Sequence, residues 1–141
     1  MTNPRKPRFN PELIPSPCFI LDEEYLAENL ELMQYIRQRA GIRILLALKG
    51  YAMWSTFPLI GKYLDGATAS SLHEALLCAE KFNQKAHLCA PVYIENEIEK
   101  ITDVASHITF NSVHQYSRFK EPALRKGLKT AIRINPEYSE V

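Results

Sequence analysis

Lys49 lies in the run Leu45-Leu46-Ala47-Leu48-Lys49-Gly50-Tyr51-Ala52-Met53-Trp54. Burial disfavours an ammonium ion, so a lysine in such apolar surroundings is expected to give up its proton more readily. A neutral amine is the nucleophile that Schiff-base chemistry requires. The plain alternative is a lysine that snorkels to solvent from a strand end. Thr68, Ser70, Ser71 and Glu74 offer hydroxyls and a carboxylate, although Ser71 and Glu74 also have the S-x-x-E spacing of a capping box. Cys89-Ala90-Pro91 reads as structural. Asn111 precedes Ser112, which reads as a helix cap. Arg133 sits between Ile132 and Ile134. Those isoleucines are expected to be buried and to enclose the guanidinium, which then needs an anionic partner, because an unpaired buried charge is costly. A protein carboxylate, a phosphate or a substrate carboxylate would serve.

Other chemistries find less support. His73, His87, His107 and His114 show no metal-ligand spacing such as HxxxH. Cys18, Cys78 and Cys89 are odd in number and contain no CxxC, which argues against a disulfide framework or a zinc site. They read as reduced, buried cysteines of a cytoplasmic protein. Seventeen basic residues balance sixteen acidic ones, so no electrostatic case exists for nucleic acid or an acidic membrane surface. The cluster Arg5, Lys6 and Arg8 falls in a proline-rich leader and reads as a solvated terminus. No apolar run approaches the ~18–20 residues of a membrane span, and no apolar secretory segment opens the chain.

These residues need elements to hold them. Five of the nine prolines fall in residues 1–17, so that leader is expected to be extended rather than helical. Cys18-Phe19-Ile20-Leu21 resembles a short strand. Asp22 then suits a helix N-cap, with Glu23 and Glu24 in the first turn and Gly41 as C-cap, so residues 22–40 read as an amphipathic helix. Ile42 to Leu48 is apolar enough for a strand buried on both faces of a parallel sheet. Residues 55–63 suggest a short helix, and Ala67-Thr68-Ala69 a second strand. Leu72, Ala75, Leu76 and Ala79 continue a helix from the Ser71 cap. Ala86 to Ala90, His107 to Phe110 and Lys129 to Ile134 read as three more strands. Helices marked by Ile94, Ile98 and Ile101, and by Ser112 with Gln115, separate them.

Short apolar strands alternating with amphipathic helices imply βαβ units and a parallel α/β sheet. No GxGxxG or GxxxxGK[ST] follows the first strand, which favours a barrel over a doubly wound sheet. A closed (β/α)₈ barrel takes roughly 250 residues. At 141 residues this chain is expected to form an incomplete one. In such a fold the chemistry lies at the C-terminal strand ends, where Lys49, Thr68, Cys89, Asn111 and Arg133 all fall.

Several stretches also resemble the fold-type III decarboxylases that depend on pyridoxal 5'-phosphate (PLP). These are Ile14-Pro15-Ser16-Pro17-Cys18-Phe19-Ile20-Leu21-Asp22, Ala47-Leu48-Lys49, Gly66 through Glu74, and Ile132-Arg133-Ile134-Asn135-Pro136. Within that group the pattern is most similar to the carboxynorspermidine/carboxyspermidine decarboxylase family, through Leu46 to Ala52, Gly66 to Glu74 and Arg133 to Val141. The resemblance implies an alanine-racemase-like PLP barrel over residues 18–141 after a leader at 1–17, with the family's C-terminal β-domain absent. It implies that Lys49 is the catalytic lysine that carries PLP, and that Thr68, Glu74 and Arg133 lie at the cofactor. The substrate would be a carboxylated polyamine, decarboxylated in polyamine biosynthesis, and the full-length enzyme a homodimer. Ornithine and diaminopimelate decarboxylases usually carry Asp where this chain has Thr68, which argues against those substrates.

The family's ring-stacking histidine, Gly-rich phosphate loop and pyridine-nitrogen acid would lie downstream. The isolated chain is therefore expected to be an inactive fragment. The alternatives that stay open are an ornithine/diaminopimelate-type decarboxylase, a racemase or regulatory PLP protein of the same barrel group, and a non-enzymatic structural fragment.

Overall fold

The computed structural model describes residues 9–138. Five strands, β1 (Leu46–Ala47), β2 (Ala67–Ala69), β3 (Ala86–Leu88), β4 (Ala105–Phe110) and β5 (Lys129–Ile132), form one sheet in sequential order. Every neighbouring pair is parallel. The helices are α1 (Glu23–Ala40), α2 (Phe57–Ile60), α3 (Leu72–Leu77), α4 (Ile98–Val104) and α5 (Val113–Arg125). The α/β class and parallel sheet expected from the sequence are borne out.

Local chemistry accounts for the helix ends. The Asp22 carboxylate accepts from the N–H groups of Glu24 and Tyr25, and Gly41 closes α1 in the left-handed region at φ 63°. Ser71 and Ser112 cap α3 and α5, each accepting from the N–H three residues on. Gly66 has φ 138°, a backbone conformation that strains any L side chain, so this turn into β2 favours glycine; a Cβ there would also displace the end of the Gln84 side chain.

Helices cover one face of the sheet. Ala67, Ala69, Ala86, Leu88, Ile108 and Phe110 are buried on that side with Phe57, Ile60, Cys78, Ile101 and Phe119. The alternate residues Thr68, His87, His107 and Thr109 are only half-buried. They belong to the opposite face, where they line a shallow cavity. This two-faced alternation corrects the expectation of strands buried on both sides. Among the described residues nothing covers the inner face.

Other differences follow from the same geometry. Residues 1–8 lie outside the described residues, while Pro11–Leu13 forms a single 3-10 turn within the supposedly extended leader. Cys18 to Leu21 pairs with no strand among the described residues, and Cys18, Phe19 and Ile20 are exposed. The run Ile42 to Leu48 yields only the two-residue β1, half-buried because it stands at the sheet edge. A 3-10 turn, Trp54–Thr56, precedes α2. Ile94 is exposed ahead of α4, and β4 begins two residues before His107. At the other edge, β5 stops at Ile132 and does not reach Ile134. Of the cysteines, Cys78 alone is fully buried; Cys18 is exposed and Cys89 half-buried.

One tie reaches across three segments. The Asp65 carboxylate accepts from Arg37 at 2.9 Å and from the Ile44 N–H at 3.0 Å. The Asp65 N–H donates back to the Ile44 carbonyl at 2.9 Å. The end of α1, the approach to β1 and the turn before β2 are thereby fixed to one another.

Candidate active site

The C-terminal ends of the strands open onto a cavity of about 480 Å³ lined by Lys49, Thr68, Ser70, Cys89, Pro91, Asn111 and Arg133. Each residue arrives there by strand geometry. Leu48 donates its N–H to the Thr68 carbonyl at 3.1 Å and buries its side chain. The chain then turns tightly, with the N–H groups of Gly50 and Tyr51 both donating to the Ala47 carbonyl. Lys49 sits on that turn at the mouth of the cavity. It is exposed and is not enclosed by its apolar neighbours in sequence.

The segment beyond Lys49 is braced. Thr56 Oγ1 donates to the Met53 carbonyl at 2.8 Å, so the Tyr51 hydroxyl is the donor in the 2.9 Å bond it makes with Thr56 Oγ1. Thr68 projects from the middle of β2 between buried Ala67 and Ala69. It pairs with Ala47 on one side and His87 on the other.

Arg133 reaches the same cavity, but not in the surroundings expected. Ile132 and Ile134 are 39% and 82% exposed. An edge strand has a neighbour on one side only, so the flanking isoleucines are not enclosed. Among the described residues no carboxylate is paired with Arg133, and it lines the same cavity as Lys49.

Glu74 behaves differently. Its Oε2 accepts from the Ser70 N–H at 2.7 Å, one residue before the position that a capping box predicts. The carboxylate is not among the groups lining the cavity; it touches the site through Ser70. Gln115 repeats the arrangement on α5, its Oε1 accepting from the Asn111 N–H at 2.9 Å. The structure thus brings together Lys49, Thr68 and Arg133, and leaves Glu74 behind the rim.

Sequence reasoning missed part of the rim. Cys89 and Pro91 read as structural, yet they line the cavity. Asn111 Nδ2 donates to the carbonyls of Ala90 and Pro91. Tyr93, buried, accepts from the Ala90 N–H at 3.2 Å and donates to the Thr109 carbonyl at 2.7 Å. Burial pushes its phenol up to about 12, so it remains a donor at neutral pH. The available signal was position alone, since each follows the C-terminal end of a strand.

Below the rim, the rings of His87 and His107 stack at 3.7 Å across the register pair of β3 and β4. Partial burial, then the neighbouring His107, Arg43 and Lys129, hold His87 below the usual histidine range. Burial, then Lys129 and Arg43, do the same for His107. Among the described residues no group of three potential ligands could hold a metal ion. Likewise, no helix among the described residues is long and apolar enough to cross a membrane.

The donor set is a primary amine, a guanidinium, two hydroxyls and an amide around a cavity of ordinary small-ligand size. Such a set suits an anionic ligand that carries an aldehyde.

Comparison with known proteins finds relatives along nearly all of the chain. The chain is 47% identical over 134 residues to a carboxyaminopropylagmatine decarboxylase of Synechocystis, covering 94% of this chain and 35% of that protein. It is 36% identical over 127 residues to a carboxynorspermidine/carboxyspermidine decarboxylase of Herminiimonas arsenicoxydans, covering 90% of this chain and 34% of the relative. The solved carboxynorspermidine decarboxylase of Campylobacter jejuni, in complex with norspermidine, superposes with a TM-score of 0.78 at 32% identity, over 89% of this chain and 35% of that one. A D-threonine aldolase from Filomicrobium marinum shares the fold, with a TM-score of 0.75 at 16% identity over 86% of this chain and 35% of the aldolase. No family model matches the chain. The chain spans about a third of the length of the curated relatives it matches.

Proposed function

We propose that this chain is the Lys49-bearing part of a PLP-dependent decarboxylase acting on a carboxylated polyamine. The observation that carries the reading is the meeting of Lys49, Thr68 and Arg133 at one cavity on the C-terminal strand ends. Relatives named as decarboxylases match along nearly all of the chain, which supports it. Bound there, PLP supplies an electron sink for the charge left when a carboxylate departs as CO₂.

The residues of this chain divide the remaining work. Lys49 offers the amine that holds the cofactor, and its exposure leaves it free to exchange with a substrate amine. Arg133 offers positive charge to a phosphate or a substrate carboxylate. Thr68 and Asn111 offer neutral hydrogen-bond groups, and Glu74 fixes Ser70 at the rim. In this reading the sheet is the first part of a (β/α)₈ barrel of a homodimeric, cytoplasmic enzyme. The inner face would become its interior.

A second substrate has a specific observation behind it, because the carboxyaminopropylagmatine decarboxylase matches at 47% rather than 36%. That substrate would end in a guanidine where a carboxylated triamine ends in an amine. The test is to give the full-length protein PLP and each of carboxynorspermidine, carboxyspermidine and carboxyaminopropylagmatine, and to measure CO₂ and the amine product. Release of CO₂ from one or more of them is the expected result. Loss of none, with the cofactor bound, would overturn the reading.

A further inference from the structure

Glu74 and Gln115 occupy the same place on two helices, three residues after a capping serine. Each accepts the N–H of the residue before that serine, Ser70 at 2.7 Å and Asn111 at 2.9 Å. The two helix starts are built alike up to this point. They differ in one atom: Gln115 has an amide nitrogen, and it is used. Nε2 donates to the Pro91 carbonyl at 3.2 Å, twenty-four residues away in sequence. The Asn111 amide donates to the same Pro91 carbonyl at 3.1 Å and to Ala90 at 2.5 Å. Two side-chain amides from the start of α5 therefore converge on the loop that follows β3. That loop carries Cys89 and Pro91 into the cavity.

We infer that Gln115 is a positioning residue of the candidate active site, tying the rim after β3 to the start of α5 through Pro91. A helix cap needs only an acceptor at this position, as Glu74 demonstrates on α3. The donor half of Gln115 does nothing for its own helix; its partner is the neighbouring rim, after β3. The side chain sits outside the cavity lining, so it acts through Asn111 and Pro91 and has no contact with a ligand. The inference deepens the proposed function, since the rim it holds is one wall of the proposed PLP site.

The glutamate variant separates the two roles. Gln115→Glu keeps the acceptor for the Asn111 N–H and removes the donor to Pro91, whereas Gln115→Ala removes both. The measurement is the rate of Cys89 alkylation by iodoacetamide in the full-length protein, resolved by peptide mapping, with exposed Cys18 as internal reference. Both variants are expected to change the Cys89 rate about fivefold relative to Cys18, the size of one net hydrogen bond. Gln115→Glu is expected to keep more thermal stability than Gln115→Ala, because its cap is intact. The affinity for PLP, titrated in the same proteins, is expected to weaken about fivefold in both. A Cys89 rate unchanged in Gln115→Glu would overturn the inference and leave Gln115 as a cap. Failure of the unmutated protein to bind PLP would overturn the proposed function, while the alkylation rates would still decide the role of Gln115.

Discussion

The backbone N–H of Arg133 donates to the carbonyl of Phe110 at 2.7 Å, one residue beyond the end of β5. Phe110 is fully buried on the helix-covered face, so this bond anchors an exposed arginine to a rigid strand. The anchor sets Arg133 at the cavity that Lys49 also lines. Its charge is positioned without being buried, which avoids the desolvation cost of an enclosed guanidinium.

Removing that charge should therefore touch binding far more than folding. Arg133→Ala is expected to weaken PLP or substrate binding by roughly tenfold or more, the range of a hydrogen bond to a charged group. The change in stability should stay within about 0.5 kcal/mol, as for other exposed positions. Equilibrium PLP titration and urea unfolding of the same variant check both halves.

Asp65 should show the opposite pattern. Its carboxylate serves Arg37 and the Ile44 N–H at a partly buried junction, far in sequence from the first of these. Asp65→Ala leaves an N–H without its acceptor and is expected to cost about 1–3 kcal/mol. Asp65→Asn, which keeps an acceptor for Ile44, should recover part of the loss. The urea midpoint of each variant measures this, and equal midpoints for the alanine variant and the unmutated protein would refute the junction's role.

The extent to which this was legible beforehand depends on the range of the forces involved. Helix α1 could be bounded from Asp22 and Gly41 because caps act within one turn. The strands could be placed because short apolar runs between turn residues mark them. The burial around Arg133 could not be read, since it depends on whether a further strand lies beyond β5, and Ile132 and Ile134 look the same either way. Lys49 was found at its strand end, but its exposure follows from the tight turn onto the Ala47 carbonyl. The Gln115–Pro91 tie spans two βα units, and no local pattern announces a contact of that range. Glu74 has the spacing of a capping box, yet it reaches Ser70 rather than Ser71, a difference of one residue that spacing does not resolve.

The stacked histidines give a pH dependence with a definite sign. Burial and nearby cations lower both folded values from the ordinary 6.5, so below that pH the unfolded chain binds more protons than the folded one. Stability is thus retained above about pH 6.5 and falls as pH drops through it toward the folded values. The double variant His87→Gln, His107→Gln should lose less Tm between pH 7 and pH 5 than the unmutated protein. Identical slopes in the two would remove the stack from the explanation.

The central claim rests on one amine, and one labelling experiment addresses it. The full-length protein is loaded with PLP, reduced with borohydride, digested and mapped by mass spectrometry. A single dominant pyridoxyl label is expected on Lys49, lost in Lys49→Ala. A dominant label on another lysine, with Lys49 unmodified, would contradict it.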